Sequence, residues 1–254
     1  MSGHSKWATI KRKKAKTDDA RGKIFTKISK EIMVAVKQGG SDPEGNFRLK
    51  LCIQKAKASN MPADNISRCI QKAAGSGDSQ AIDEFFYEGY GPAGIAVLCA
   101  IMTDNRNRTA SEIRFLFSRN HGNLGETGCV SYLFERKGQL TIALEPDKGR
   151  DEEELFLIAL ESGAEDVSTE EDEGEVITAP EDLEGVRAAL LEAGFEVANA
   201  EITMLPKSRI VIDDLETAQK LLKLLEALED NDDVQAVHAN YEITPEIISM
   251  LEEG

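Results

Sequence analysis

The hydrophobic period of the chain changes near Gly77, and that change constrains the fold more than any other feature. Before it, apolar residues recur about every 3.6 positions, as in amphipathic helices; after it, they alternate or run together, as in strands. This demands a helical N-terminal domain followed by an α+β body.

Three long helices are expected in the first part, behind a short basic one. The first starts near Thr17-Asp18-Asp19, where a capping hydroxyl and two carboxylates meet the positive end of the helix dipole, and it stops at Gly39-Gly40. The second is expected to open at Asp42-Pro43-Glu44, with proline in its first turn, and to run to about Ser59. The third opens near Pro62 and ends at Gly75-Ser76-Gly77. Met61 reads as an entry to that helix, and if exposed it would be a candidate partner contact.

Ile24, Phe25, Ile28, Ile32, Ala35 and Val36 fall on one side of the first long helix at about 100° per residue, as a core face does. Lys23, Lys27, Lys30 and Lys37 fall on the other side, with Val34 interrupting them. Just upstream, Lys11-Arg12-Lys13-Lys14-Ala15-Lys16 places five cations in six residues, a density that repels itself unless an anion is near. Residues 1 to 75 hold 17 Lys+Arg against 6 Asp+Glu, whereas residues 76 to 254 hold 13 against 40. The overall charge of −16 therefore conceals a basic module on an acidic body, a distribution suited to holding phosphate. The candidate nucleic-acid contacts are Lys6, Lys11, Arg12, Lys13, Lys14, Lys16, Lys23, Lys27 and Lys30. Arg106 and Arg108 join them from the segment Thr103 to Thr109, where a strand hands over to a helix and free amides accompany arginines. Pairing of these two arginines with nearby carboxylates is the competing expectation. Trp7 stacks on a base or anchors the basic arm.

Past Gly77, Ile95 to Met102 reads as a buried strand, followed by a polar turn, a helix through Arg119 and a strand at Val130 to Glu135. A full strand-helix-strand-strand-helix-strand unit follows: Leu140 to Glu145, Glu152 to Ser162, Ala164 to Ser168, Glu175 to Ala179, Pro180 to Ala193 and Glu196 to Met204. The remaining helix, Leu215 to Leu228, and strand, Val234 to Tyr241, are too little for a core of their own. They are expected to complete the unit begun at residue 85. The fold class is therefore α+β in three domains: a helical bundle at 1–78, a central α+β domain from 79–136 and 207–254, and an inserted one at 137–206, both α+β domains being ferredoxin-like.

Motifs for chemistry are sparse. Gly89-Tyr90-Gly91-Pro92-Ala93-Gly94 matches G-x-G-x-x-G but precedes a strand instead of following one, and Pro92 lacks an amide for phosphate, so a tight structural loop is expected. Tyr90 on that loop is a possible point of partner contact. No P-loop, nucleophile elbow or zinc-protease motif occurs, and the three histidines, His4, His121 and His238, lie in different elements. His121 reads as a turn residue. Cys52, Cys69, Cys99 and Cys129 are too widely spaced for a metal or redox pair and read as reduced core residues. The acidic run Glu170-Glu171-Asp172-Glu173 reads as a solvated hairpin turn. No enzyme, metal, cofactor or small-molecule substrate is expected. No apolar run reaches the ~18 residues of a membrane span and the N-terminus lacks a secretory pattern, so a cytoplasmic protein without membrane contact is expected.

Gly3-His4-Ser5-Lys6-Trp7 with the basic run, then Arg21-Gly22-Lys23-Ile24-Phe25-Thr26-Lys27, resembles the start of the YebC/PmpR family. Tyr87 to Pro92, Thr103 to Thr109, Gly122 to Gly125 and Asp232-Asp233-Val234-Gln235 are similar to further family segments in family order, so the resemblance covers essentially the whole chain. It implies three domains and a DNA-binding transcriptional regulator. Relatives such as the mitochondrial translational activator of cytochrome oxidase imply an alternative: a ribosome-associated factor on ribosomal RNA that relieves stalling, for example at proline runs.

Overall fold

The computed structural model describes residues 18–75, 82–144, 152–170 and 173–253. Phe134–Leu205 form one compact unit, and the described residues before and after them form another.

Helices α1 (Asp18–Gly39), α2 (Phe47–Ala58) and α3 (Ala63–Gly75) build the bundle. Their common core contains Ile28, Ile32, Ala35 and Val36 of α1, Leu49, Cys52 and Ala56 of α2, and Ile66 and Ala73 of α3. The second helix starts four residues later than its proline suggests. Residues 43–45 form a turn, and Asn46 is the cap, its carboxamide oxygen accepting from the Leu49 amide at 3.0 Å. The same side chain, 5% exposed, donates to the carbonyls of Ala35 and Gly40 at 2.8 Å each, so one residue starts α2 and closes the end of α1. Met61 is buried in the bundle core, and its amide closes on the Ala56 carbonyl; it is a helix entry and offers no exposed contact.

The central sheet runs β3 (Asn123–Leu124), β1 (Asp83–Tyr90), β2 (Ala96–Thr103), β9 (Val234–Ala239). β1 and β2 pair antiparallel from Asp83↔Thr103 to Tyr90↔Ala96, and β9 pairs antiparallel with β2. Helices α4 (Arg106–Arg119) and α7 (Leu215–Glu229) cover one face, where Ile95, Val97, Cys99 and Ile101 meet Ile113, Phe117, Leu221 and Leu224. From sequence, no element is expected after Tyr241 and none at 210. Here β8 (Ile210–Ile212) pairs parallel with β10 (Tyr241–Ile243), and a last helix, α8 (Pro245–Glu253), buries Ile247 and Ile248 in the same core.

The glycine loop before β2 is structural. A Cβ on Gly89 would lie 2.6 Å from the Asn123 carbonyl and 2.8 Å from the Phe117 ring, so the short β3 edge approaches only because that side chain is missing. The loop itself is a 3-10 turn, Pro92–Gly94, with Ala93 at φ 57°. His121 also sits in a turn, at φ 61°.

In the other unit, β4 (Phe134–Ala143), α5 (Glu152–Glu161), β5 (Ala164–Glu170), β6 (Glu173–Thr178), α6 (Leu183–Glu192) and β7 (Glu196–Pro206) give a sheet ordered β5-β6-β4-β7, the ferredoxin-like arrangement. The strands expected at Val130 to Glu135 and Leu140 to Glu145 are one: a 3-10 turn, Ser131–Leu133, leads into β4, which continues through Gly138 without a break. A Cβ on Gly138 would lie 2.3 Å from the Thr178 hydroxyl, so this glycine, between the two expected strands, permits close pairing.

Replacing Asn46 by alanine removes a cap and two hydrogen bonds to the end of α1, the one to the Ala35 carbonyl buried. A loss of about 2 kcal/mol in local stability is expected, read as faster amide hydrogen exchange across 47–58.

Candidate nucleic-acid interface

Of the candidate contacts, Lys6, Lys11, Arg12, Lys13, Lys14 and Lys16, together with Trp7, lie outside the described residues. The other five are placed, and all five engage carboxylates or carbonyls of the chain itself.

The lysine stripe of α1 lies against the C-terminal end of α7 and the acidic turn that follows it. Lys23 Nζ is 2.5 Å from Asp230 Oδ1, Lys27 donates to the Glu229 carbonyl, and Lys30 donates to the Asp232 carbonyl at 2.8 Å and to Asp233 Oδ1 at 2.6 Å. The last carbonyls of a helix carry partial negative charge, and Asp230, Asp232 and Asp233 add to it. Spacing of four and three residues on α1 thus meets an anionic surface of peptide oxygens and carboxylates. Val34, which interrupts the stripe in sequence, is 4% exposed, as expected of a helix side that packs against something.

The contacts differ in depth. The Lys23 and Asp230 side chains are 41% and 72% exposed, so that pair contributes little. Lys30 and Asp233 are 18% and 5% exposed. Asp233 Oδ2 also lies 2.7 Å from the Thr109 hydroxyl, 3.1 Å from that of Thr103 and 2.9 Å from Arg108 Nη2, while its own carbonyl takes the Met102 amide. Burial pushes this carboxyl up, but hydrogen bonds from Arg108, Lys30 and Thr109 outweigh it and bring it down to about 2.

Arg106 and Arg108 stand on the first turn of α4, which begins at Arg106 behind Asn105, the cap that accepts from the Arg108 amide. Arg106 Nε lies 2.6 Å from Asp83, and its guanidinium sits 4.4 Å from the Phe85 ring centre. Arg108 bridges Asp104 and Asp233. Both remain exposed at 58% and 46%. A second dock ties the bundle to the central sheet, where Arg48 pairs with Glu84 beside Gln38.

Sequence reasoning missed Asp233 and Glu88. Glu88 is 4% exposed and accepts the amides of Gly128, Val130 and Ser131 at 2.7–2.8 Å. Burial raises its carboxyl, and these three donors lower it below the usual range. Tyr90, a possible partner contact by sequence, donates its hydroxyl to the Cys129 carbonyl of the same loop. The four cysteines are free. Cys52 and Cys99 are buried and pushed by that burial up to about 12, whereas Cys69 and Cys129 are only half-buried. Among the described residues, no three His, Cys, Asp or Glu are grouped to hold a metal ion, and no helix is long and apolar enough to cross a membrane.

Residues 5–76 match the model of the TACO1/YebC protein N-terminal domain, and residues 82–241 that of the TACO1/YebC second and third domain. The chain belongs to the TACO1/YebC family. It is 55% identical to a "probable transcriptional regulatory protein" of Desulforamulus reducens over 95% of this chain and 99% of that one. A protein of the same description from Moorella thermoacetica is 54% identical over 99% and 100%. The crystal structure of a conserved hypothetical protein from Aquifex aeolicus superposes with a TM-score of 0.83 at 50% identity, covering 92% of this chain and 95% of that one. TACO1/YebC relatives of this chain thus carry the name of a regulator.

An unfolded aspartate titrates near ~3.9, so Asp233 adds stability that is present above that pH and is lost as the pH falls toward 2. Asp233→Asn is expected to flatten the acid limb of stability by about 2 kcal/mol, measured as urea unfolding between pH 2 and pH 5. Lys30→Ala is expected to destabilise by more than Lys23→Ala, because only the former takes a hydrogen-bonding cation from a buried carboxylate.

Proposed function

We propose that this chain is a non-catalytic, cytoplasmic, DNA-binding regulator of gene expression that grips the phosphate backbone through its helical domain. The observation that carries the reading is the partition of charge: 17 Lys+Arg against 6 Asp+Glu in residues 1 to 75, on a chain whose net charge is −16. The basic run Lys11 to Lys16, with Lys6, supplies most of the contacts. The exposed cations Arg21, Lys57, Arg68 and Lys72 of the bundle extend them. Lys23 and Lys27 contribute at the rim by trading Asp230 and the Glu229 carbonyl for phosphate, and Arg106 and Arg108 do so beside the amides of the first α4 turn. Lys30 holds α1 in place from its buried pair with Asp233.

One observation favours a second reading on ribosomal RNA. Eight of the eleven cations between residues 18 and 75 are lysines, which position a protein on phosphate without reading base edges. Recognition led by shape suits folded RNA as well as it suits duplex DNA.

If about six phosphates are neutralised, the affinity for duplex DNA falls with salt at a log–log slope near −5. Lys13→Glu with Lys14→Glu, which leaves the α1 dock untouched, is expected to weaken binding at least tenfold and to flatten that slope. Crosslinking in growing cells, with both DNA and RNA sequenced, separates the readings. Discrete promoters lost in the variant support DNA, ribosomal RNA lost in the variant supports the second reading, and no enrichment of either overturns both.

A further inference from the structure

We propose that the inserted domain docks a cationic amphipathic helix of a partner protein on the outer face of α5. The inference stands apart from the nucleic-acid reading, since it concerns the unit of opposite charge.

The sequence of α5, Glu-Glu-Glu-Leu-Phe-Leu-Ile-Ala-Leu-Glu, has more apolar residues than one core face can use. Leu155 and Ala159 turn inward and are fully buried. Phe156, Leu157 and Leu160 turn outward, at 37%, 59% and 51% exposure, and line an open groove. Their spacing of one, three and four residues places them on one continuous stripe. An outer helix face is ordinarily polar, so three adjacent large apolar side chains there mark a surface made to be covered. Helix α6, which packs beside α5, exposes Leu191 as well.

The charge around the stripe selects the occupant. Glu152 stands one turn before Phe156, Glu154 three residues before Leu157 and Glu161 four residues after it, and all three are exposed. Residues 134–205 carry 5 Lys+Arg against 21 Asp+Glu. A second copy of this domain is repelled by that charge, as are nucleic acid and an anionic membrane. What fits is a helix with Leu, Ile or Met at i, i+3 and i+4 flanked by Lys and Arg, whose aliphatic stems extend the apolar contact while their charges meet the glutamates. The stripe is smaller than the patches of permanent assemblies, so the contact is transient.

The test uses the full chain and a fluorescein-labelled 18-residue peptide of leucines and lysines in amphipathic register, followed by anisotropy. Micromolar binding is expected, weakened at least tenfold by Leu157→Ser with Leu160→Ser, which alters only exposed positions and keeps every charge. Glu154→Gln with Glu161→Gln should weaken binding severalfold and reduce its salt dependence. Circular dichroism confirms that each variant folds. Four results overturn the proposal: no binding, equal binding by the leucine variant, self-association in sedimentation that the leucine variant abolishes, or tighter peptide binding after removal of residues 2–16. The third would make a second copy the occupant, and the last would make it the chain's own basic segment.

Discussion

Three segments distant in sequence converge on the carboxylate of Asp233. The junction from β2 to α4 brings Thr103, Arg108 and Thr109, α1 brings Lys30, and the turn after α7 brings the aspartate itself. A buried carboxylate is costly unless its lone pairs are filled, and filling them here requires all three segments to be in place at once. The placement of the helical bundle on the central domain follows from that requirement, with Arg48 and Glu84 as a second and more exposed tie. The negative end of α7 completes the surface, so that the face of α1 opposite its core is held as firmly as a lysine-rich face can be.

The lysine stripe was legible in sequence, but its partner was not. Four lysines at helical spacing announce an anionic counterpart without saying whether it is phosphate or carboxylate. The structure shows that within the chain the counterpart of Lys23, Lys27 and Lys30 is the oxygens at Glu229, Asp230, Asp232 and Asp233. A signal was present: the run Glu229-Asp230-Asn231-Asp232-Asp233 at the end of an apolar-periodic helix is itself a dense anionic cap. Periodicity gave the three bundle helices and the strand-helix order of the inserted domain because burial drives both. It failed at Asp42-Pro43-Glu44, where a proline suited to a helix start lies in a turn and a buried asparagine caps instead. It failed again at β4, where two strands were expected and one runs through, with Gly138 allowing close approach to Thr178. Residues 210–212 and 242–253 went unassigned because short parallel pairing and a terminal helix depend on contacts far away in sequence. Glu88 carried no pattern at all, since its role is to receive the amides of a loop some forty residues later.

The chain divides its charge by task. The body carries an acidic, partly apolar inserted domain, and the N-terminal domain carries the cations. Where the two signs meet inside one unit, at α1 and α7, they are used for packing. The contacts proposed for phosphate are the basic run ahead of α1, the exposed cations of the bundle and the outermost lysines of the stripe.

A double-mutant cycle on Lys30 and Asp233, with Lys30→Ala, Asp233→Ala and the pair compared by urea unfolding at pH 7, tests the central claim most directly. A coupling of about 2 kcal/mol is expected for a buried, hydrogen-bonded ion pair. A coupling near zero would show that the bundle is held against the central domain by something other than this carboxylate.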